Sequence, residues 1–368
     1  MKKNMQKLLK LLLICLSGMV LVWFMNHDAF LYHDPIARIT KVKQGKTVRS
    51  EDTYGNADYT TEQTVWMVVE NGKYRGQKFK LPNTYSKSGG YDQKYKVNDR
   101  VFLIITGSKK ITAIISNEKR DTYLVFLCWL VVVLLYATMQ FAGLKSILSV
   151  LLNFVIFLLF VDLDVRLNLT HFFWLFALAA LIFTGLSLFL VIGFNKQFGV
   201  TFAAVTSTTV LALVIGVLAM KVTGDQGMHY EALDYATQAP KQLFLAATVI
   251  GLLGTVMDAA TDIVSTLFEM KENDHYISKR QLFKSGMNVG QAIMGPLVNV
   301  LVLIFFAETF MMALLYFRTN NSIAYTFEWT MALGVVQAVI SGIGITLTVP
   351  LASFLTANVL GGDSHVDA

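Results

Sequence analysis

The chain has 368 residues, of which 54% are hydrophobic and only 15% are charged, and its formal net charge is +6. Soluble domains carry roughly 25% charged residues, so this composition excludes an ordinary soluble protein and indicates an integral membrane protein. The sequence has two cysteines, six scattered histidines and no phosphate-loop, zinc-peptidase or nucleophile-elbow motif. We therefore expect no disulfide framework, no metal, no cofactor and no enzymatic activity.

Apolar runs long enough to cross a bilayer, which takes roughly 20 residues, occur eight times along the chain. They lie near 8–26, 122–141, 144–161, 171–193, 199–220, 242–267, 287–316 and 329–355. The first run lacks a small-residue cleavage site before His27, which favours an uncleaved anchor (1–26) over a signal peptide. The other seven predict a membrane domain at 121–358, followed by a short cytoplasmic tail at 359–368.

Residues 27–120 differ from the rest of the chain, because they are polar and break into short alternating stretches. Strands are predicted at 36–43, 64–71, 76–82, 99–106 and 111–116. Five strands in a segment of this length suggest a small OB-like barrel. The predicted fold class is therefore an all-α polytopic membrane protein of about eight helices, with a small β-barrel-like domain inserted after the first helix.

Lysine and arginine in the short loops predict the orientation, because cytoplasmic loops carry an excess of them. With the N-terminus inside, ten of these residues fall on the cytoplasmic side and four outside. We expect a bacterial plasma-membrane protein with both termini cytoplasmic and residues 27–120 extracytoplasmic. That domain has 17 Lys and Arg against 10 Asp and Glu, a net of +7. Its basic surface is either simply solvated or contacts an anionic wall polymer, a lipid headgroup or an acidic partner; no motif indicates nucleic-acid binding.

The sixth apolar run carries two aspartates, Asp258 and Asp262, on one helix face. An ionised carboxylate in hydrocarbon costs several kcal/mol, so it needs a partner, water or a proton. We expect Asp258 to face a polar cavity, where it binds a cation or carries a proton. In the alternative interpretation, both carboxylates lie at the headgroup level and pair with Lys271, Arg280 or Lys284.

The seventh run begins after a capping-box pattern, Ser278 with Gln281, and carries a second polar stripe. The members of this stripe recur at helical spacing: Asn288, Gln291, Gly295 and Asn299. The sixth run starts at Pro240, so the hairpin between the two runs is expected to let their polar stripes meet. These side chains, together with Gln337 of the eighth run, form the predicted ion- or solute-binding site.

Glycines and prolines accompany the polar stripes. The glycines at 254, 286, 290 and 295 either allow close helix approach at the site or serve packing alone. Pro296 and Pro350 each remove a helical hydrogen bond, which either exposes a carbonyl to the site or produces a plain kink. Glu308 lies about 180° around the helix from Asn299 and is expected at the interface, or facing another helix or subunit.

Two stretches, GLLGTVMDAATDI (251–263) and SGMNVGQAIMGPLVNVLVL (285–303), resemble the YibE/F-like family of bacterial membrane proteins. The resemblance spans roughly 122–355, and the N-terminal anchor with its external domain resembles the longer, YibE-type members. It implies a permease-like protein with a shorter, YibF-type sister protein as partner. The family pattern and the physical interpretation coincide at Met257, Asp258, Gly286, Asn288, Gly290, Met294, Gly295 and Asn299. Where the resemblance implies an acidic residue, this chain has Ala292.

The residues and the resemblance together favour a secondary transporter, or its pore subunit, that moves an ion or small solute through the last three helices and could be coupled to protons. The alternative is a membrane assembly or signalling scaffold. Its external domain would bind a wall polymer or partner protein, and its polar stripes would hold subunits together as a homo-oligomer or with the sister protein. An enzyme acting on lipid-linked substrates has the least support, since no nucleophile or phosphate clamp accompanies the paired carboxylates.

Overall fold

The computed structural model describes residues 2–90, 92–107, 111–168, 171–232 and 239–361, with the side chains of the first helix described from residue 14 onward. The chain divides into two compact units, 1–143 and 144–368. The first unit holds an antiparallel sheet between two helices, and the second is a helical bundle. The boundary at residue 143 falls one helix beyond the polar segment 27–120 that was predicted as a separate domain.

The first unit begins with helix α1 (Lys2–Met25), continues through five strands and ends with helix α2 (Asp121–Met139). The two helices pack directly on each other: Gly18 of α1 lies against the ring of Trp129 of α2, whose Nε1 donates to Ser17 Oγ at 3.2 Å. A Cβ at Gly18 would lie 2.8 Å from that ring, so glycine is what permits this approach. Where its side chains are described, α1 is apolar over Ile14–Met25.

The sheet confirms the five predicted strands, although the first two are much longer than expected. The strands are β1 (Ile36–Glu51), β2 (Ala57–Val69), β3 (Lys78–Ser86), β4 (Arg100–Thr106) and β5 (Thr112–Glu118), all antiparallel in the order β3-β2-β1-β4-β5. The extra length arises at the β1–β2 turn, where the Asp52 carboxylate accepts hydrogen bonds from the backbone N–H groups of Tyr54 and Asn56. Gly55 takes the positive φ of +80° that this turn requires.

The core of the sheet lies on one face of β1, β2 and β4, where alternate residues such as Ile39, Val65 and Leu103 are almost fully buried. This period of two is what the sequence indicated for half-buried strands. The edge strands β3 and β5 are not paired with each other among the described residues, so the sheet is open along that seam.

Among the described residues, seven further α-helices build the second unit, the first of which begins just before the boundary. They are α3 (Phe141–Leu167), α4 (Phe172–Ile192), α5 (Lys196–Val222), α6 (Pro240–Asn273), α7 (Lys279–Arg318), α8 (Ile323–Thr326) and α9 (Ala332–Leu360). A single π-helical turn, Phe327–Met331, joins α8 to α9 and makes 323–360 one long segment. The predicted start signals are confirmed, because Pro240 lies in the first turn of α6 and Ser278 with Gln281 forms a complete capping box on α7.

Seven described helices are long and apolar enough to cross a membrane: α2 to α7, and the segment formed by α8, the π turn and α9. Their length and composition are those of a multi-pass membrane protein. α6 and α7 have 34 and 40 residues, so at 1.5 Å per residue both exceed the roughly 30 Å hydrocarbon core. Part of each helix must therefore extend beyond it.

Helix α9 lies at the centre of the bundle, packed against α5, α6 and α7. Glycines make this packing close: a Cβ at Gly290 of α7 would lie 2.3 Å from Val349, and one at Gly286 2.4 Å from Ser353. Both glycines therefore lie in close contact with a neighbouring helix, mainly α9. Gly254 and Gly295 have no described atom within 4 Å of such a Cβ, so they mediate no close contact there.

Both prolines predicted to interrupt the spans lie inside helices that continue past them. α7 runs unbroken through Pro296, and α9 runs unbroken through Pro350. The irregular backbone of the last segment is instead the π-helical turn at Phe327–Met331. π turns inside helices are frequent at functional sites, and this one borders a cavity.

Candidate functional site

Two small cavities share part of their walls: one lies among α6, α7 and α9, and the other lies among α6, the π turn and α9. The first, called here the Glu308 cavity, has a volume of about 180 Å³, with polar lining from Thr255, Glu308, Gln337 and Ser341. The second, the Glu328 cavity, has a volume of about 190 Å³, with polar lining from Glu328, Thr330 and Gln337. Gly334 and Gln337 belong to both linings, so Gln337 stands at the junction.

Two glycines leave room for the side chains that line this junction. A Cβ at Gly251 would lie 2.9 Å from Gln337 Nε2, and one at Gly334 would lie 2.4 Å from the ring of Phe305. A larger residue at either position would push a lining side chain from its place. The local sequence therefore fixes the shape of the junction as well as its chemistry.

Glu308 is a further candidate, because it lines the same cavity as Gln337. Its side chain is exposed, which is compatible with the interfacial or subunit-facing position expected from the sequence. Residues 301, 304, 305 and 308 all line this cavity and follow the i, i+3, i+4, i+7 spacing of one helix face. A lone carboxylate in a long apolar helix, on the same face as buried Phe305, was the signal that could have found it.

The α6 lining continues directly into the predicted aspartates. Gly251, Thr255, Asp258 and Asp262 follow the i, i+4, i+7, i+11 spacing of one helix face, and the first two line the Glu308 cavity. With a rise of 1.5 Å per residue, Asp258 lies about 5 Å and Asp262 about 11 Å further along α6 than Thr255. The cavity residues and the two aspartates thus form one series, called here the acidic track: Glu328, Gln337, Glu308, Thr255, Asp258 and Asp262.

Several predicted site residues lie on the surface of the helical unit instead of inside a recess. Asp258, Asp262, Asn288, Gln291 and Asn299 are all exposed. Among the described residues, none of these side chains has a hydrogen bond or ion pair. The recess expected between α6 and α7 is therefore not enclosed by the described part of the chain. The reason is packing: α9 occupies the face of α7 that carries Gly286 and Gly290, so Asn288 and Asn299, at about 200° from Gly286, point away from it.

The alternative in which the aspartates pair with nearby bases also finds no ion pair among the described residues. Lys271 instead donates to the carbonyl oxygens of His275 at 2.6 Å and Ile277 at 3.3 Å, which fixes the α6–α7 turn. The carboxylates of Asp258 and Asp262 consequently have no cationic side chain as a partner in the described ranges.

The Glu328 cavity is bordered by a histidine from the α5–α6 connection. Nε2 of His229 lies 2.8 Å from Glu328 Oε1, and its Nδ1 lies 3.1 Å from Glu231 Oε1. Its ring stacks on Trp329 with centroids 4.3 Å apart. The hydrogen bonds to Glu328 and Glu231 raise the pKa of His229 above its usual value. The protonated ring can donate to both carboxylates at once and so tie this connection to the π turn.

A second contact holds the same connection to the start of α6. Lys241 Nζ lies 2.5 Å from Asp225 Oδ2, and Tyr230 donates to the other oxygen of Asp225 at 3.3 Å. Burial and this carboxylate raise the pKa of Tyr230 to about 12, so its hydroxyl stays protonated. Residues 233–238 of this connection lie outside the described residues.

No three described His, Cys, Asp or Glu side chains are arranged to hold a metal ion. The His229 cluster illustrates why: its two carboxylates bind opposite nitrogens of one ring and cannot converge on a shared ion. What the arrangement can do chemically is offer carboxylate and amide oxygens, within an apolar bundle, to a proton or a small cation.

These features define a class of protein, a multi-pass membrane protein that carries an antiparallel sheet domain after its first helix. Residues 127–362 match the YibE/F-like protein family, and residues 30–118 match the YibE/F family N-terminal domain. The chain therefore belongs to the YibE/F-like family, which confirms the resemblance found in the sequence. Neither the curated proteins nor the solved structures give a match to the chain.

Proposed function

We propose that the protein is a permease of the secondary-transporter type, or the pore subunit of one, and that it moves a proton or a small cationic solute along the acidic track. The observation that carries this proposal is the pair of adjoining cavities, whose linings bring Glu328 and Glu308, both with exposed side chains, to one shared glutamine, Gln337. Asp258 and Asp262 extend the same line along α6.

Charge indicates the class of solute. Of the four carboxylates in the track, Glu328 contacts His229, whereas Glu308, Asp258 and Asp262 have no ion pair among the described residues. An ionised carboxylate at membrane depth costs several kcal/mol unless something compensates it. Bound protons or cations supply that compensation and leave again during transport, so the track favours positively charged cargo and is compatible with proton coupling.

The proposal includes the orientation of the chain in the membrane. With α1 as an eighth span, the excess of Lys and Arg in the short loops puts both termini in the cytoplasm and the sheet domain outside a bacterial plasma membrane. The strand order β3-β2-β1-β4-β5 is compatible with an OB-like barrel left open between β3 and β5. The Glu328 cavity would then open to the outside, and Asp262 would lie nearer the cytoplasm.

The direct test is cation or proton flux into proteoliposomes that contain the purified protein. Glu308→Gln and Asp258→Asn should each reduce flux at least about tenfold, because each removes a charge but keeps the shape and hydrogen-bonding capacity of the side chain. Glu269→Gln is the matched control, since Glu269 shares the Asp258 face of α6 but is exposed near the helix end. Equal flux in all three variants and the unmodified protein would refute the acidic track.

One observation favours the alternative function of an assembly or signalling scaffold. Asn288, Gln291 and Asn299 are exposed and without hydrogen bonds on an apolar helix, in the described part of the chain. In a bilayer such groups need a partner, and a second copy or a YibF-type sister protein would provide one. A scaffold would keep its complexes when Asp258 is replaced by asparagine and would show no flux under any condition, whereas a transporter would lose flux with its assembly unchanged.

A further inference from the structure

The first unit contains a groove that is distinct from the acidic track. It has a volume of about 970 Å³ and lies where the chain leaves α1 and meets the sheet. Its lining comes from the residues just after α1, the end of β2 with the β2–β3 turn, and the start of β4. The polar members used below are Asn26, His27, His33, Glu70, Arg75 and Arg100.

Buried ionic contacts fix the groove at the ends of the two helices. Lys119, only 2% exposed, places its Nζ 2.8 Å from Asp28 Oδ1 and 2.8 Å from Asp121 Oδ2, and it donates to the Met25 carbonyl at 2.8 Å. Met25 ends α1 and Asp121 begins α2. The groove therefore starts within one or two residues of the point where both apolar helices end.

Exposed aromatic residues mark the same level. Trp23, Phe30 and Tyr123 are 63%, 70% and 75% exposed, and all three lie within a few residues of these helix ends. Aromatic side chains are enriched at the level of lipid headgroups, where one edge of the ring meets water and the other meets hydrocarbon. The groove thus opens where headgroups would lie.

The groove has two arginines in its lining, and one of them is held in place by hydrogen bonds. Arg100 donates through Nε to Glu70 at 2.8 Å and through Nη1 to Asn26 at 3.1 Å, which holds its guanidinium in place. Glu70 also pairs with Arg38, so one carboxylate is shared by two guanidinium groups. Arg75 lines the groove, and its side chain has no hydrogen bond or ion pair among the described residues.

The two histidines add neutral hydrogen-bonding capacity. His27 stacks on Trp23, with centroids 4.8 Å apart, and its Nδ1 lies 2.8 Å from the Trp23 carbonyl oxygen. That contact occupies one ring nitrogen and leaves Nε2 for a ligand. His33 lies on the same lining. Guanidinium groups with further N–H donors are the usual partners of phosphate oxygens.

We propose that this groove binds the phosphate headgroup of an anionic membrane lipid. Three observations converge: the position at the ends of two apolar helices, a lining with two arginines of which Arg75 has no ion pair among the described residues, and a volume sufficient for a glycerophosphate group instead of a lone ion. A bound headgroup would hold the sheet domain against the membrane surface.

The test is native mass spectrometry of the purified full-length protein with dihexanoyl-phosphatidylglycerol, and with dihexanoyl-phosphatidylcholine as the zwitterionic comparison. Arg75→Gln should weaken binding of the anionic lipid about tenfold, as expected for loss of one charge-assisted contact. Arg49→Gln is the control, because Arg49 is exposed at the far end of β1, where it pairs with Glu51 at 2.9 Å, and does not line the groove. It should bind like the unmodified protein.

Equal loss in Arg75→Gln and Arg49→Gln would overturn the proposal, because attraction would then follow net charge alone. So would equal binding of the two lipids. Inorganic phosphate and glycerol phosphate serve as competitors: displacement at concentrations similar to that of the lipid would show that the groove recognises free phosphate, which also contradicts the lipid assignment. Survival of lipid binding against a large excess of both would support it.

Discussion

Replacement of Lys119 by methionine tests the buried contacts that join the sheet to its two helices. Methionine is similar in length but leaves Asp28, only 2% exposed, without a cation and removes the hydrogen bond to the Met25 carbonyl. Loss of one partner of a buried ion pair typically costs about 3–5 kcal/mol, because the remaining charge is left uncompensated. We expect the variant to fall in this range. This destabilisation is assigned mainly to Asp28, because the Asp121 carboxylate is less buried and can be solvated by water when Lys119 is lost.

Hydrogen exchange of the full-length protein, followed by mass spectrometry, measures the loss of stability in the segments around Asp28 and Lys119. Peptides covering 26–36 and 112–121 should exchange faster in Lys119→Met, while the α6–α9 bundle keeps its protection. Lys43→Met, at an exposed position on β1, is the control and should change nothing. Adding Asp28→Asn to Lys119→Met should recover a large part of the stability, since it removes the uncompensated charge. If Lys119→Met matched the control, the reasoning on buried charge would be refuted.

Two further predictions concern the helical unit. Gly290→Ala should destabilise the bundle by about 1–3 kcal/mol, because the new methyl would lie 2.3 Å from Val349, whereas Gly295→Ala, with open space around it, should be neutral in the same thermal unfolding assay. If both behaved alike, the proposed contact between α7 and α9 would be wrong. The stabilisation from the His229 hydrogen bonds should depend on pH, because folding raises the pKa of His229. The stabilisation is complete below the pKa of an unfolded histidine, about 6.5, and is lost as the pH rises through the higher pKa of the folded protein. The rate of proteolysis of the α5–α6 connection should therefore increase with pH, and His229→Gln should abolish that increase. If the variant kept the pH profile of the unmodified protein, the role of His229 would be contradicted.

The sequence by itself determined the features that depend on neighbours along the chain. Membrane spans follow from the length of apolar runs, and the start of α7 follows from the capping box of Ser278 and Gln281. The strands follow from the alternation of apolar residues, and the family follows from two short motifs. Each of these signals lies within one helix or strand, so no knowledge of how elements pack was needed.

Only the tertiary structure decided which helix faces meet. Helical periodicity groups Asn288 with Asn299 and Asp258 with Asp262, but it cannot say which neighbour each group faces. The Gly286–Gly290 face of α7 packs on α9, and this contact turns the asparagines outward, while the exposed Glu308 lines a cavity with residues of α6 and α9. Lys119 shows the same dependence, because its two carboxylate partners include Asp28, which is 91 positions away in the chain. Contacts between residues so far apart depend on the folding of everything between them, which no local pattern encodes.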